Sequence, residues 1–181
     1  YNLANIFDDG DNPTIETLNQ KEEWTFSILD PLFEYIKNEV SGNQEGYNGW
    51  GHSAGSQFLH RFILFMPDSK LNVAVCSNAG WYTVPESGID FPYGLNKSEL
   101  SSSTLKLAFS KNLYVHLADL DTNPNASSLR HNETVDNQQG LNRRARGRYF
   151  YKASKAIANQ KEIDYNWIKT DEVLNVGHSA K

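Results

Sequence analysis

The chain has 181 residues, 39% of them hydrophobic, and a formal net charge of −5 at pH 7. That length supports one core, so we expect a single domain over residues 1–181. The acidic charge balance disfavours nucleic acid as a partner. No apolar run approaches the roughly eighteen residues that cross a bilayer, so we expect no membrane span. The compartment, cytoplasmic or exported, stays open because no leader is visible in the sequence.

The first clear element is a surface helix after Asp30. Asp30 is predicted to cap this helix, with Pro31 in its first turn and Gly42 at its end. Its apolar side chains recur on one face, which we expect to pack on the sheet: Leu32, Phe33, Ile36 and Val40.

Residues 49–55 read Gly-Trp-Gly-His-Ser-Ala-Gly, a pattern typical of a nucleophile elbow. In such an elbow a serine stands on a sharp strand-to-helix turn, and small residues on both sides let the strand and the helix approach. Gly51 and Gly55 occupy those positions around Ser53. The N–H of Ala54 begins the following helix, so it is available to a developing oxyanion.

The residues around the elbow predict a strand, a turn, a helix and a second strand. Apolar side chains recur at helical spacing over 53–66, and Pro67 ends the pattern. A short β-branched run over 70–77 then reads as a buried strand, and it contains Cys76, which we expect to be a buried thiol. This is the βαβ order that an elbow requires.

The second half of the chain predicts three further elements. A long aromatic-rich connection over 78–103 is expected to be functional. A strand is predicted over 113–117, a helix over 141–157, and a last strand with its exit turn over 165–176. The helix carries a basic face that we expect to meet solvent: Arg143, Arg144, Arg146, Arg148, Lys152 and Lys155.

A nucleophilic serine needs a base, and that base needs an acid to hold its tautomer. In α/β-hydrolases the acid and then the histidine follow the serine in the chain, each after a strand. Asp121 and His178 satisfy this order. Asp119 is the alternative acid, and Asp121 is favoured because it lies deeper in the turn. The other histidines are expected to have structural roles: His52, His60, His116 and His131.

Four motifs, at 51–58, 78–83, 120–125 and 176–178, make the chain resemble the bacterial α/β-hydrolases known as polyhydroxybutyrate-depolymerase-like esterases and lipoprotein hydrolases. The resemblance implies a mostly parallel sheet with flanking helices and hydrolysis of a small-molecule or polymeric ester. It implies Ser53, Asp121 and His178 as the triad, with Trp81 and Tyr82 near the substrate pocket. This chemistry needs no metal or organic cofactor.

Two parts of the family pattern are missing from the sequence. One is the set of leading strands, including the loop that donates a second oxyanion N–H, and the other is the closing helix. We therefore expect an incomplete domain whose exposed sheet edge pairs with a second copy or a complementing chain. The alternative hypothesis is a catalytically inactive module that acts in binding or assembly.

Overall fold

The structure is a computed structural model that describes residues 4–8 and 17–178. Two short 3-10 turns, Lys21–Glu23 and Thr25–Ile28, precede an alternation of helices and strands. In chain order the elements are α1 (Leu29–Glu39), β1 (Tyr47–His52), α2 (Ala54–Phe65), β2 (Leu71–Ser77), α3 (Ser102–Ser110), β3 (Asn112–His116), α4 (Glu133–Gln139), α5 (Arg143–Gln160) and β4 (Ile168–Lys169).

The four strands form one parallel sheet in the order β1-β2-β3-β4. Helix α2 packs against β1 and β2, and α5 packs against β3 and β4. This confirms the predicted parallel sheet with flanking helices. Because all four strands run in one direction, the loops that leave their carboxyl ends gather at one edge of the sheet.

The main core lies between the sheet and the helices and is rich in aromatic side chains. Phe26 meets two phenylalanines of α2 edge-on, while Tyr82 stacks on Phe150 with ring centroids 4.6 Å apart. Cys76 is fully buried in β2, as predicted, and burial raises the pKa of its thiol to about 12. This core holds β2 and β3 as a rigid base for the loops at their ends.

Helix α1 differs from its prediction in both its start and its environment. It begins at Leu29, directly after a 3-10 turn, so Asp30 lies inside the helix and does not cap it. The Asp30 carboxylate instead accepts a hydrogen bond of 2.7 Å from the Tyr47 hydroxyl. The expectation that the apolar face packs on the sheet is wrong for Leu32, Ile36 and Val40, which are exposed, whereas Phe33 packs on Tyr47 of β1 with ring centroids 5.2 Å apart.

The basic face of α5 also differs from its prediction. Arg143 and Arg146 are almost completely buried, and Arg144 and Arg148 donate hydrogen bonds to the carboxylate of Glu172. The expectation of a solvated face is therefore wrong for Arg143 and Arg146, whereas Arg148, Lys152 and Lys155 are exposed as expected. Because a guanidinium carries its charge at every physiological pH, each buried arginine has to lie beside an acceptor.

Two further helices were not predicted, and one strand was predicted to be longer than it is. Helix α3 begins at the end of the predicted 78–103 connection and α4 lies between the predicted strand over 113–117 and the predicted helix over 141–157, and neither helix was predicted. The last strand is limited to Ile168–Lys169, and an isolated bridge between Ala118 and Val173 continues the alignment beyond it. Within the described residues, no helix combines the length and the apolar character needed to cross a membrane.

Candidate active site

The turn between β1 and α2 has the geometry of a nucleophile elbow. Ser53 has φ 54° and ψ −114°, a left-handed backbone that a residue with a side chain rarely adopts. Its N–H donates a hydrogen bond of 2.9 Å to the Ser77 carbonyl at the end of β2. The elbow is therefore fixed to the neighbouring strand, and the Ser53 side chain stands at the carboxyl edge of the sheet.

The two elbow glycines differ in how strictly they are required. A Cβ atom at Gly51 would overlap the backbone carbonyl of Gly55, so only glycine allows β1 to approach α2 this closely. A Cβ atom at Gly55 would meet no neighbouring atom within 4 Å. The prediction that both positions avoid a clash is correct for Gly51 and wrong for Gly55.

Three loops bring the serine, the histidine and the acid together. Ser53 follows β1, Asp121 follows β3, and His178 follows β4. His178 Nε2 lies 3.2 Å from Ser53 Oγ, and His178 Nδ1 lies 2.8 Å from Asp121 Oδ2. Although the three residues are far apart in the sequence, their polar atoms form one hydrogen-bonded chain.

The partners of the imidazole decide which ring nitrogen carries the proton. An ionised carboxylate can only accept, so His178 Nδ1–H donates to Asp121 and Nε2 is left as an acceptor for the Ser53 hydroxyl. Asp121 is almost fully buried, while the imidazole of His178 is partly exposed. The arrangement therefore has a sheltered acid at one end and an accessible hydroxyl at the other.

The rival acid, Asp119, has a different partner. Its Oδ1 accepts a hydrogen bond of 3.3 Å from the Val176 N–H. Leu120 N–H donates to the Val176 carbonyl in the same region. Asp119 therefore fastens the loop that carries His178, and the Asp121 carboxylate is the one in contact with the ring.

Two residues of this site escaped the sequence interpretation, and Arg143 is the first. Its Nη1 lies 3.6 Å from Asp121 Oδ1, and both side chains are buried. The sequence feature that could have indicated Arg143 is an arginine in the first turn of a helix, where the positive end of the helix dipole disfavours a cation. Such a position indicates a nearby carboxylate, although it does not say which one.

The second residue is His52, for which only a structural role was expected. Its ring lies 4.7 Å from the His178 ring, centroid to centroid, and its Nδ1 is 3.3 Å from Ser77 Oγ. Burial, together with the neighbouring His178, lowers the pKa of His52. A neutral His52 therefore packs beside His178 without adding a positive charge to the site.

The remaining predicted site residues occupy two different environments. Ala54 is the first residue of α2 and is exposed, so its N–H lies at the helix N-terminus, outside the helical hydrogen-bond ladder. Trp81 and Tyr82 are buried, and Trp81 packs against Tyr93 with centroids 5.3 Å apart. Their assignment to the oxyanion hole and to substrate binding stays a prediction.

A groove of about 1270 Å³ lies elsewhere, between the loop after β2 and helices α4 and α5. Its lining does not include Ser53, Asp121 or His178. Across residues 4–8 and 17–178, no group of three or more His, Cys, Asp or Glu side chains is placed to hold a metal ion.

Two solved structures are similar to this chain over nearly its whole length. Poly(aspartic acid) hydrolase-1 from Sphingomonas sp. KT-1 has a TM-score of 0.90 and 34% identity, covering 99% of this chain and 65% of that one. LpqC, a poly(3-hydroxybutyrate) depolymerase from Bordetella parapertussis, has a TM-score of 0.85 and 26% identity, covering 98% and 58%.

This chain spans less than two thirds of the length of either protein. No protein-family model matches it, and no curated protein matches it by sequence. The four-stranded parallel sheet superposes on both solved structures, and both of those proteins are hydrolases. The chain therefore has an α/β-hydrolase-type fold, and its similarity to these two proteins agrees with the polyhydroxybutyrate-depolymerase-like group that its motifs indicated.

Proposed function

We propose that this chain carries the catalytic machinery of a serine hydrolase that cleaves carboxylic esters. The observation that supports the proposal is the hydrogen-bonded chain from Ser53 Oγ through the His178 ring to Asp121 Oδ2. A serine hydroxyl is a weak nucleophile until a neighbouring base removes its proton. Here the base already lies within hydrogen-bond reach of the serine, and its tautomer is set by the acid.

In the proposed reaction, Ser53 Oγ attacks the ester carbonyl carbon while His178 Nε2 takes the hydroxyl proton. The tetrahedral oxyanion accepts a hydrogen bond from the Ala54 N–H at the positive end of the α2 dipole. The intermediate then expels the alcohol, which receives the proton from His178, and leaves an acyl-serine. Water, activated by the same nitrogen, releases the acid and regenerates Ser53.

The two similar proteins suggest which substrates to test first. One is described as a poly(3-hydroxybutyrate) depolymerase and the other as a poly(aspartic acid) hydrolase. A polymer substrate suits the position of Ser53, which is half-buried beside the exposed His178, because a backbone bond of a long chain has to reach the serine without entering a deep tunnel. We propose short ester oligomers as the first substrate class and amide polymers as the second.

The test is hydrolysis of p-nitrophenyl butyrate by the wild-type chain and by Ser53→Ala. Turnover above background in the wild type, lost in Ser53→Ala, supports the proposal. The matched control is Ser110→Ala, which removes a hydroxyl from an exposed serine at the end of α3 and should leave the rate unchanged. Equal rates for wild type and Ser53→Ala contradict it.

The alternative, an inactive module that acts in binding or assembly, predicts a different result from the same samples. In the described part of the chain, β1 is an outer strand of the sheet, which is a surface where another strand can add. A folded wild-type chain that forms a dimer or a complex by light scattering, with no turnover, favours this alternative. A monomer with an initial burst of nitrophenol favours the hydrolase.

A further inference from the structure

We propose that Arg143 is a positioning residue that holds the Asp121 carboxylate in the orientation that His178 requires. This inference rests on the proposed hydrolase function and extends it to a residue outside the Ser-His-Asp set. Arg143 Nη1 lies 3.6 Å from Asp121 Oδ1, while Asp121 Oδ2 accepts the His178 Nδ1 proton. Each carboxylate oxygen therefore has its own positively charged or donating neighbour.

Both partners of the Arg143–Asp121 ion pair are buried. Arg143 is 1% exposed and Asp121 is 3% exposed, so neither charge is compensated by water. A buried guanidinium needs an anion beside it, because the charge cannot be removed by deprotonation. Asp121 is the carboxylate in ion-pair contact with Arg143 in the described part of the chain.

The hydrogen bonds of Arg143 do not explain its place by themselves. Its Nη2 donates to Ser128 Oγ at 2.8 Å, but its buried Nε has no hydrogen-bond partner. Arg143 is also the first residue of α5, where the helix dipole opposes a positive charge. The adjacent Asp121 carboxylate offsets the cost of burying this charge, which the hydrogen bond to Ser128 does not do.

The start of α5 holds the main chain of the acid as well as its side chain. Arg144 N–H donates a hydrogen bond of 3.2 Å to the Asp121 carbonyl, and Asn142 caps the helix by accepting from Ala145 N–H at 2.9 Å. The carboxylate therefore has little freedom to rotate away from His178. Without Arg143, the main-chain contact remains and the side-chain contact is lost.

Steady-state kinetics on the whole chain test the inference. We expect Arg143→Met to lower kcat by up to about 100-fold with little change in KM, because a small misplacement of a catalytic group has an effect of that size. Arg143→Lys should recover part of the rate, since it restores the charge without the planar fork. Lys152→Met, which removes an exposed positive charge from the same helix, should keep the wild-type kcat.

A double-mutant cycle and a chemical rescue separate positioning from loss of folding. If Arg143 acts through Asp121, then Arg143→Met should add little to the loss already caused by Asp121→Asn. Low-millimolar guanidinium should raise the rate of Arg143→Ala and leave Ser53→Ala unaffected. A variant that had merely failed to fold would not respond to this ion, and additive losses in the cycle would overturn the inference.

Proton NMR supplies a readout that does not depend on turnover. We expect a low-field signal for the His178 Nδ1 proton in the wild type and in Ser53→Ala, lost or shifted in Arg143→Met. An inactive wild type with this pattern would reject the proposed hydrolase and keep the role of Arg143. A second outcome is an active wild type that loses its activity in Ser53→Ala but keeps both its kcat and its low-field signal in Arg143→Met. That outcome would overturn only the positioning role of Arg143. A wild type without the signal also overturns it.

Discussion

Two histidines of this chain have the same tautomer and opposite surroundings. His60 lies inside α2, where its Nδ1–H donates to the Ser56 carbonyl at 2.7 Å and its Nε2 accepts from the Thr83 N–H at 2.9 Å. His178 likewise donates from Nδ1 and accepts at Nε2, but its partners are the Asp121 carboxylate and the Ser53 hydroxyl. In both rings the two nitrogens are fully occupied.

The difference lies in what the partners can do with a proton. The Thr83 amide holds its proton permanently, and burial lowers the pKa of His60 to about 3, so this ring is fixed as a neutral bridge between α2 and the loop after β2. The Ser53 hydroxyl can release its proton to His178, and the Asp121 carboxylate can stabilise the imidazolium that forms. The imidazole is thus a structural bridge in His60 and a candidate base in His178.

Removing the negative charge beside His178 should have the largest effect. Asp121→Asn presents an amide to Nδ1, which favours the wrong tautomer and leaves Nε2 without its acceptor role, so we expect turnover to fall by about four orders of magnitude. Circular dichroism should show an unchanged fold. A folded variant that still hydrolyses p-nitrophenyl butyrate at a rate near that of the wild type would contradict the claim that the Asp121 carboxylate makes His178 a base.

Changing the elbow should have the next largest effect, because it moves the Ser53 hydroxyl. That hydroxyl is the partner of His178 Nε2, whereas His60 Nε2 has the Thr83 amide as its partner. A methyl group at Gly51 overlaps the Gly55 backbone, so Gly51→Ala should lower the free energy of unfolding by about 1–3 kcal/mol and reduce turnover. Gly55→Ala is the matched control, and its open surroundings predict a helix that is equally stable or about 0.5–1 kcal/mol more stable. Thermal melts of both variants check this ranking, and equal melting temperatures would contradict it.

Replacing His60 should change the pH dependence of stability. Its folded pKa, about 3, is below the ordinary value of about 6.5, so protons bind the unfolded chain preferentially between these values. The contribution of this site to stability is complete above pH 6.5 and is lost progressively as pH falls toward 3. His60→Gln should therefore show a smaller fall in Tm over that window than the wild type. If Tm depended on pH identically in the wild type and in His60→Gln, His60 would not be held neutral.

Asp119 should give the smallest effect, although it lies two residues from the acid. Asp119→Asn keeps an oxygen that can accept from the Val176 N–H, so we expect a change of about 0.5 kcal/mol or less in stability and a rate close to that of the wild type. The measurement is kcat/KM beside that of Asp121→Asn. A larger loss in Asp119→Asn would reverse the assignment of the acid.

The elements around the elbow could be predicted because their signals are local. The helical spacing of apolar residues over 53–66, Pro67 after α2, the β-branched run over 70–77 and the Gly-x-Ser-x-Gly pattern are all readable within a few residues. That the side chains of Ser53, Asp121 and His178 meet follows from parallel strands with their carboxyl ends at one edge. Their catalytic roles stay predictions until activity is measured.

What the sequence did not predict depends on contacts between distant segments. The apolar face of α1 shows that one side of the helix is hydrophobic, but periodicity cannot tell what covers that side. Arg143 is buried beside Asp121, which belongs to a different segment, and the sequence around Arg143 does not reveal that contact. Helices α3 and α4 are short and weakly periodic, and their caps, Ser101 and Asn132, were the signals that local reasoning overlooked.

The most direct test of the central claim is covalent labelling of the wild-type chain with a fluorophosphonate, followed by mass spectrometry of the peptides. The account predicts a single phosphonylated residue, Ser53, with labelling that stops in His178→Ala and slows strongly in Asp121→Asn, while Ser110→Ala labels like the wild type. Efficient ester hydrolysis by a chain whose Ser53 stays unlabelled, or labelling of Ser53 that is indifferent to His178 and Asp121, would contradict it.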